Sequence, residues 1–208
     1  MKSLKNTKFL TLLGVLLAIE ILLAFTPLGF VPLGFTKATT VHIPVIIGAI
    51  FLGPVGGAIL GLAFGIMSVI INTMTPALTS FVFSPFITIA GSEGNIWSLV
   101  IALVPRTLIG ITAFYSYKWV SKMNKGNVLA YIVAGVVGSL TNTILVMGGI
   151  YLFFGQQYAA AKEVAFEALF GVIMGIVGMN GIPEAIVAAI IVATVCKVLK
   201  SIFREKLY

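Results

Sequence analysis

The sequence predicts an all-α polytopic membrane protein: six transmembrane helices, the second and third short, with a long outer loop between the third and fourth. Three observations predict it. Of 208 residues, 60% are hydrophobic and 9% charged, with a mean hydropathy of +1.15. A soluble domain carries roughly 25% charged residues, so an ordinary water-facing surface cannot be built here. The apolar runs are also long and continuous, which suits helices of about 20 residues and not the alternation of barrel strands about ten residues long. Finally, the basic residues cluster. Lys2, Lys5 and Lys8 precede the first run, Lys118, Lys122 and Lys125 share one loop, and Lys197, Lys200, Arg204 and Lys206 close the chain. With six crossings these clusters fall on one side, and only Lys37 and Lys162 fall opposite. That is the positive-inside arrangement, with both termini cytoplasmic.

Residues 1–208 read as one transmembrane domain. The net charge of +7 does not point to nucleic acid, because no basic patch is interleaved with exposed aromatics. Cys196 is the only cysteine, which excludes an internal disulfide and a cysteine-based metal cluster; it reads as an inert buried thiol. The N-terminus has the lysines and apolar run of a signal peptide but no small-x-small cleavage site before Pro27, so it is kept as the first span.

The first span covers residues 9–25, with Gly14 and Ala18 as a small-xxx-small pair suited to close helix packing. Residues 26–40 contain Pro27, Pro32 and several glycines and read as an outer loop lying against the bundle. The second span, 41–52, is too short to cross a core of roughly 30 Å at about 1.5 Å per residue; the third, 56–72, is barely long enough. Together they predict a tight helical hairpin turning at Gly53-Pro54. Glycines 53, 57, 61 and 65 recur every four residues and form a bare stripe where another helix can approach. Residues 73–96 hold Pro76, Pro85 and Gly91-Ser92-Glu93-Gly94-Asn95 together with Phe81, Val82, Phe83 and Phe86, a composition that suits a lid over the bundle. The fourth span, 97–120, carries Pro105-Arg106; the fifth, 128–153, carries Asn142 between two threonines; and 154–165 reads as a short polar outer loop. The sixth span, 164–199, exceeds what the membrane needs and predicts a kink around Gly178-Met179-Asn180-Gly181-Ile182-Pro183-Glu184. Beyond it Gly181, Ala185, Ala189 and Ala193 make a second small face.

Ionisable side chains inside a membrane are costly, so those present face a cavity or a partner. Arg106 is the sharpest case: its planar guanidinium suits a carboxylate or phosphate on a substrate, and a salt bridge to Glu184 is the structural alternative. Asn142, Asn180 and Asn72 offer donors and acceptors together, for an amide- or hydroxyl-bearing ligand or for interhelical hydrogen bonds. His42, at the start of the second span, reads as a capping or packing residue near the site, since a single histidine makes a metal centre untenable. Trp97 either anchors at the interface or closes the pocket, and Phe83 fills space beneath the lid or stacks on a ligand. No paired-carboxylate site, Gly-x-Ser-x-Gly, HExxH or P-loop is present, which points away from an enzyme and from ATP hydrolysis by this chain.

The run VHIPVIIGAIFLGPVGGAILGLAFGIMSVI, the loop TPALTSFVFSPF, WSLVIALVPRTLIG in the fourth span and NGIPEAI in the sixth resemble the substrate-binding S components of energy-coupling factor transporters. Among these the chain is most similar to the pantothenate-type components. The resemblance covers nearly the whole chain. It implies a bacterial plasma-membrane protein of six helices that captures a vitamin from outside, with no cofactor. It further implies partners: an energy-coupling transmembrane subunit and two cytoplasmic ABC ATPases. Family members dock through small residues four apart on helix one, here Gly14 and Ala18, with glycine where alanine is more usual. The family mechanism is toppling, in which the loaded component rotates in the membrane and presents its pocket inward. Pantothenate carries a carboxylate, which suits Arg106, and an amide and two hydroxyls, which suit the asparagines. Folate, riboflavin, biotin and a pyrimidine or pyridoxine precursor stand as alternative vitamins. Two other classes compete: a stand-alone facilitator, which needs a continuous polar path, and a membrane enzyme acting on lipid through Glu20, His42, Arg106 and Glu184.

Overall fold

The computed structural model describes residues 7–33, 36–123 and 127–202. Lys2, Lys5, Lys125, Arg204 and Lys206 of the basic pattern lie outside the described residues. Five stretches among the described residues are long and apolar enough to cross a membrane: Thr7–Phe25, Ile43–Met74, Ile96–Met123, Val128–Ala161 and Phe166–Ser201. The helices are α1 (Thr7–Phe25), α2 (Ile43–Met74), α3 (Ile96–Met123), α4 (Asn127–Ala161), α5 (Phe166–Ile176) and α6 (Ile182–Ile202).

α2 is the centre of the bundle, buried continuously from Ile43 to Gly53. Pro44 starts it with a preset φ where the backbone N–H has no helical partner to lose. At Gly53 (φ 77°, ψ −176°) the chain leaves helical geometry through a conformation that side chains strongly disfavour. Beyond that break it doubles back: a Cβ built on Gly57 would lie 2.7 Å from the Ala49 Cβ. In an unbroken helix residues eight apart stand about 12 Å from one another. The halves 43–52 and 54–74 therefore pack side by side, as a hairpin at Gly53-Pro54 requires. Gly53 is accordingly not part of the small-residue stripe. The stripe is Gly57, Gly61 and Gly65, whose added Cβ atoms would strike the α3 backbone at Gly110, Arg106 and Ala102.

α1 lies at the edge and buries only one stripe, Phe9, Leu16, Glu20 and Ala24, against α2. α6 packs on α4 through small residues, with Gly135 against Ala188 and Ala189 and Gly181 against Thr143.

The connections differ from expectation in three places. Residues 26–40 form a 3-10 turn, Pro27–Gly29, and an antiparallel pair of strands, β1 (Phe30–Leu33) and β2 (Thr36–Thr39). The long loop carries a second pair, β3 (Thr88–Ile89) and β4 (Ser92–Glu93), closed by Ala90 (φ 50°) and Gly91 (φ 80°) in the left-handed geometry of a two-residue hairpin turn. Residues 154–161, expected as loop, continue α4 past a local distortion at Phe154 (φ −129°, ψ 16°). The expected kink is a π-helical segment, Val177–Gly181, joining α5 to α6.

Candidate functional site

A cavity of about 160 Å³ lies where α1 and α2 end and α3 passes. Its walls are Ala24 from α1, Thr39 and Val41 before α2, Phe64, Met67, Ser68, Ile71 and Asn72 from α2, and Arg106 from α3. A larger groove of about 450 Å³ runs between α1, α2 and α6, but apart from Thr40 its lining is apolar. The smaller cavity is the one with a charge in its wall.

Arg106 reaches it because α3 is drawn against α2: Gly61 has no side chain to hold the Arg106 carbonyl away. From there the guanidinium folds back along α3, Nη1 donating to the Ile101 carbonyl. It lies over two rings, 5.6 Å from the Phe64 centroid and 5.0 Å from that of Phe83. Both ring faces attract a cation, more strongly once water is excluded. Arg106 is 6% exposed, and its Nε has no hydrogen-bond partner among the described residues. No carboxylate among the described residues forms an ion pair with it, so the salt bridge to Glu184 is not made. Glu184 Oε1 instead accepts the Thr39 backbone N–H at 2.9 Å, tying α6 to the strand beside the cavity. Arg106 is thus a buried guanidinium in a cavity wall with no acidic partner among the described residues, an arrangement whose desolvation cost no ion pair offsets.

Asn72 lines the same cavity but its amide is engaged. Nδ2 donates to the Ser68 carbonyl at 2.8 Å, and Oδ1 accepts from the Ser80 hydroxyl at 2.6 Å. At the next residue Thr73 and Ser84 share a hydrogen bond of 2.7 Å, and Ser98 Oγ donates to the Phe81 carbonyl at 2.7 Å. Phe81 and Val82 are fully buried, with Phe81 edge-on to Phe154 at 5.9 Å. The loop is thus pinned over the bundle end, which brings Phe83 to Arg106. Asn72→Ala removes the Ser80–Asn72 bond of that tether. Its expected cost is about 1–3 kcal/mol, read as faster limited proteolysis within 76–95.

The remaining candidates stand elsewhere. His42 precedes α2 with both ring nitrogens buried and without a hydrogen-bond partner among the described residues, and it makes no side-chain cap. Asn142 is half-buried on α4, its Oδ1 unpartnered, and Asn180 lies in the π segment. Neither asparagine is among the residues lining the cavity, so the convergence of Arg106, Asn142 and Asn180 on one hollow is not seen. Trp97 is 44% exposed and stacks on Phe153, with centroids 4.1 Å apart and planes at 8°. The sequence reading does not single out Phe64, Ser68 or Thr39. Ser68 carries the same signal as Asn72, a lone polar residue in an oily run. Phe64 carries none. On α1, Gly14 and Ala18 face outward, with nothing within 4 Å of a Cβ built on Gly14.

The sequence profile described as "ECF transporter, substrate-specific component" matches residues 8–196. The chain belongs to that family. The resemblance seen in its motifs is therefore borne out, and this substrate-specific component is a membrane transport protein. Its relatives include the protein named Pantothenic acid transporter PanT of Lactococcus lactis subsp. cremoris (strain MG1363), 38% identical over 160 residues, or 76% of each chain. The Pantothenate transporter PanT of Leuconostoc mesenteroides subsp. mesenteroides is 29% identical over 203 residues, or 93% of each chain.

Proposed function

We propose that this chain is the pantothenate-binding component of an energy-coupling factor importer, with Arg106 holding the vitamin's carboxylate. The observation that carries this reading is the buried Arg106 guanidinium in the cavity wall, clasped by Phe64 and Phe83 and lacking an acidic partner among the described residues. The names of the two relatives supply the ligand; the guanidinium supplies the reason an anionic one is held. Asn142, Asn180, His42, Glu184, Asn72 and Trp97 complete the site once the ligand draws the helices and the loop together. Isothermal calorimetry on purified protein tests the assignment. Pantothenate saturates it, while biotin, folate and riboflavin do not; saturation by one of those three instead sinks the substrate assignment.

In this reading the hairpin of α2 counts as two crossings, which makes six in all and sets both termini on the cytoplasmic side of a bacterial plasma membrane. The partners are an energy-coupling transmembrane subunit and two cytoplasmic ABC ATPases, which perform the ATP hydrolysis. Docking uses the face of α1 that carries Gly14 and Ala18, where small residues admit a close helix approach. Toppling then carries the loaded cavity to the cytoplasm. Gly14→Leu tests the docking face: pantothenate binding stays at the parent value, because a Cβ at that position meets nothing within 4 Å among the described residues. Recovery of the coupling subunit on co-purification falls at least tenfold. Undiminished recovery removes α1 from the interface.

A further inference from the structure

The buried stripe of α1 carries one ionisable side chain, Glu20. Leu16, Ile19 and Leu23 line the apolar groove against Ile43, Pro44 and Ile47 in the first half of α2. Ala24 lines the cavity together with Phe64 and Ser68 in the second half. Glu20 stands one turn from Leu16 and one turn from Ala24 on the buried side of α1 and is 0% exposed. Both carboxyl oxygens lack a hydrogen-bond partner among the described residues. Its depth follows from helix register. Leu16 and Leu60 both pack where Gly48 lacks a side chain. Glu20 and Phe64 are each four residues further on, one turn toward the cavity, and Ala24 and Ser68 are one turn beyond that. Glu20 therefore lies at the level of Phe64, the ring beneath Arg106, directly below the Ala24 wall. Glu20 does not itself line the cavity but stands one turn below Ala24, which does, and neither it nor Arg106 forms an ion pair among the described residues.

We infer that Glu20 is the second polar contact of this cavity, accepting a hydroxyl of the captured solute while Arg106 holds its carboxylate. This rests on the pantothenate reading and names the end of the ligand that Arg106 leaves unread. A carboxyl sealed in a lipid-facing bundle is retained at a cost that a hydroxyl-bearing ligand offsets, since its oxygens accept what the apolar walls cannot. The ligand class is an anion with an alcohol at its far end, distinguished from anions of similar size that end in hydrocarbon. Glu20 stands just outside the walls of this cavity of about 160 Å³, so the contact forms as the ligand widens the end next to Ala24 and Phe64.

The test compares pantothenate with its analogue in which both hydroxyls are replaced by hydrogen, titrated calorimetrically into parent, Glu20→Leu and Glu20→Gln proteins. Glu20→Leu is expected to lose at least tenfold in affinity for pantothenate and to bind the dideoxy analogue as the parent does. Glu20→Gln, whose amide oxygen still accepts, keeps most of the affinity. Thermal denaturation of Glu20→Leu is expected at or above the parent temperature, which separates a lost contact from a damaged fold. Equal weakening for both ligands, or no weakening for pantothenate, overturns the role of Glu20. If the parent itself fails to bind pantothenate, the substrate assignment has failed instead.

Discussion

Arg106→Gln should weaken pantothenate binding by roughly 10–150-fold, equivalent to about 1.5–3 kcal/mol for a hydrogen bond to a charged group. Glutamine retains hydrogen-bonding capacity and much of the length but loses the charge, so the measurement isolates the ion pair. Arg106→Lys is expected to recover little. The ammonium is a compact charge that keeps its water more tenaciously than a guanidinium and lacks the flat face that lies on Phe64 and Phe83. Titration of each variant with pantothenate, and with pantothenol, in which a primary alcohol replaces the carboxylate, completes the argument. The parent should prefer the acid strongly, and Arg106→Gln should lose most of that preference. If the variants bind pantothenate like the parent, the cavity wall holds no anion and the proposed orientation falls.

What made Arg106 legible was its cost: a charge in an apolar run announces a cavity or a partner, whatever the fold. Its clasp was not legible. Phe64 is one aromatic among many apolar neighbours, and its place under the guanidinium depends on the register of α2 on α3. Gly53 shows a different ambiguity. Glycine serves close packing and left-handed turns alike, so equal spacing counts Gly53, the hairpin turn, into a contact that only the next three glycines form. Asn180 was hard to place for a third reason. A π turn inserts a residue into the helix and rotates everything after it by about 100°, a shift that leaves no mark in residue spacing. Asn180 lies in such a turn, so its facing could not be counted from the residues before it. The polarity of residues 154–165 suggests a loop, yet glutamine and alanine favour helix, and α4 runs on as far as Ala161.

Gly61→Val is expected to be the most damaging substitution outside the cavity itself. The added Cβ would fall within van der Waals contact of the Arg106 carbonyl, a backbone atom that no rotamer change can move aside. Gly57 and Gly65 flank it, with added Cβ atoms 2.9 Å from the Gly110 Cα and 2.7 Å from the Ala102 carbonyl oxygen. α3 must therefore retreat as a body along three turns. Overpacking of this kind costs about 1–3 kcal/mol, occasionally more, and a lower denaturation temperature in detergent reports it. The binding loss should exceed what that instability explains, because α3 carries Arg106 away from Phe64 as it retreats. Gly14→Val supplies the control: the same β-branched side chain in a helix, at a position with nothing within 4 Å, should leave both temperature and affinity close to the parent. Were Gly61→Val to bind pantothenate like the parent, the α2–α3 contact could not be what holds the guanidinium in place.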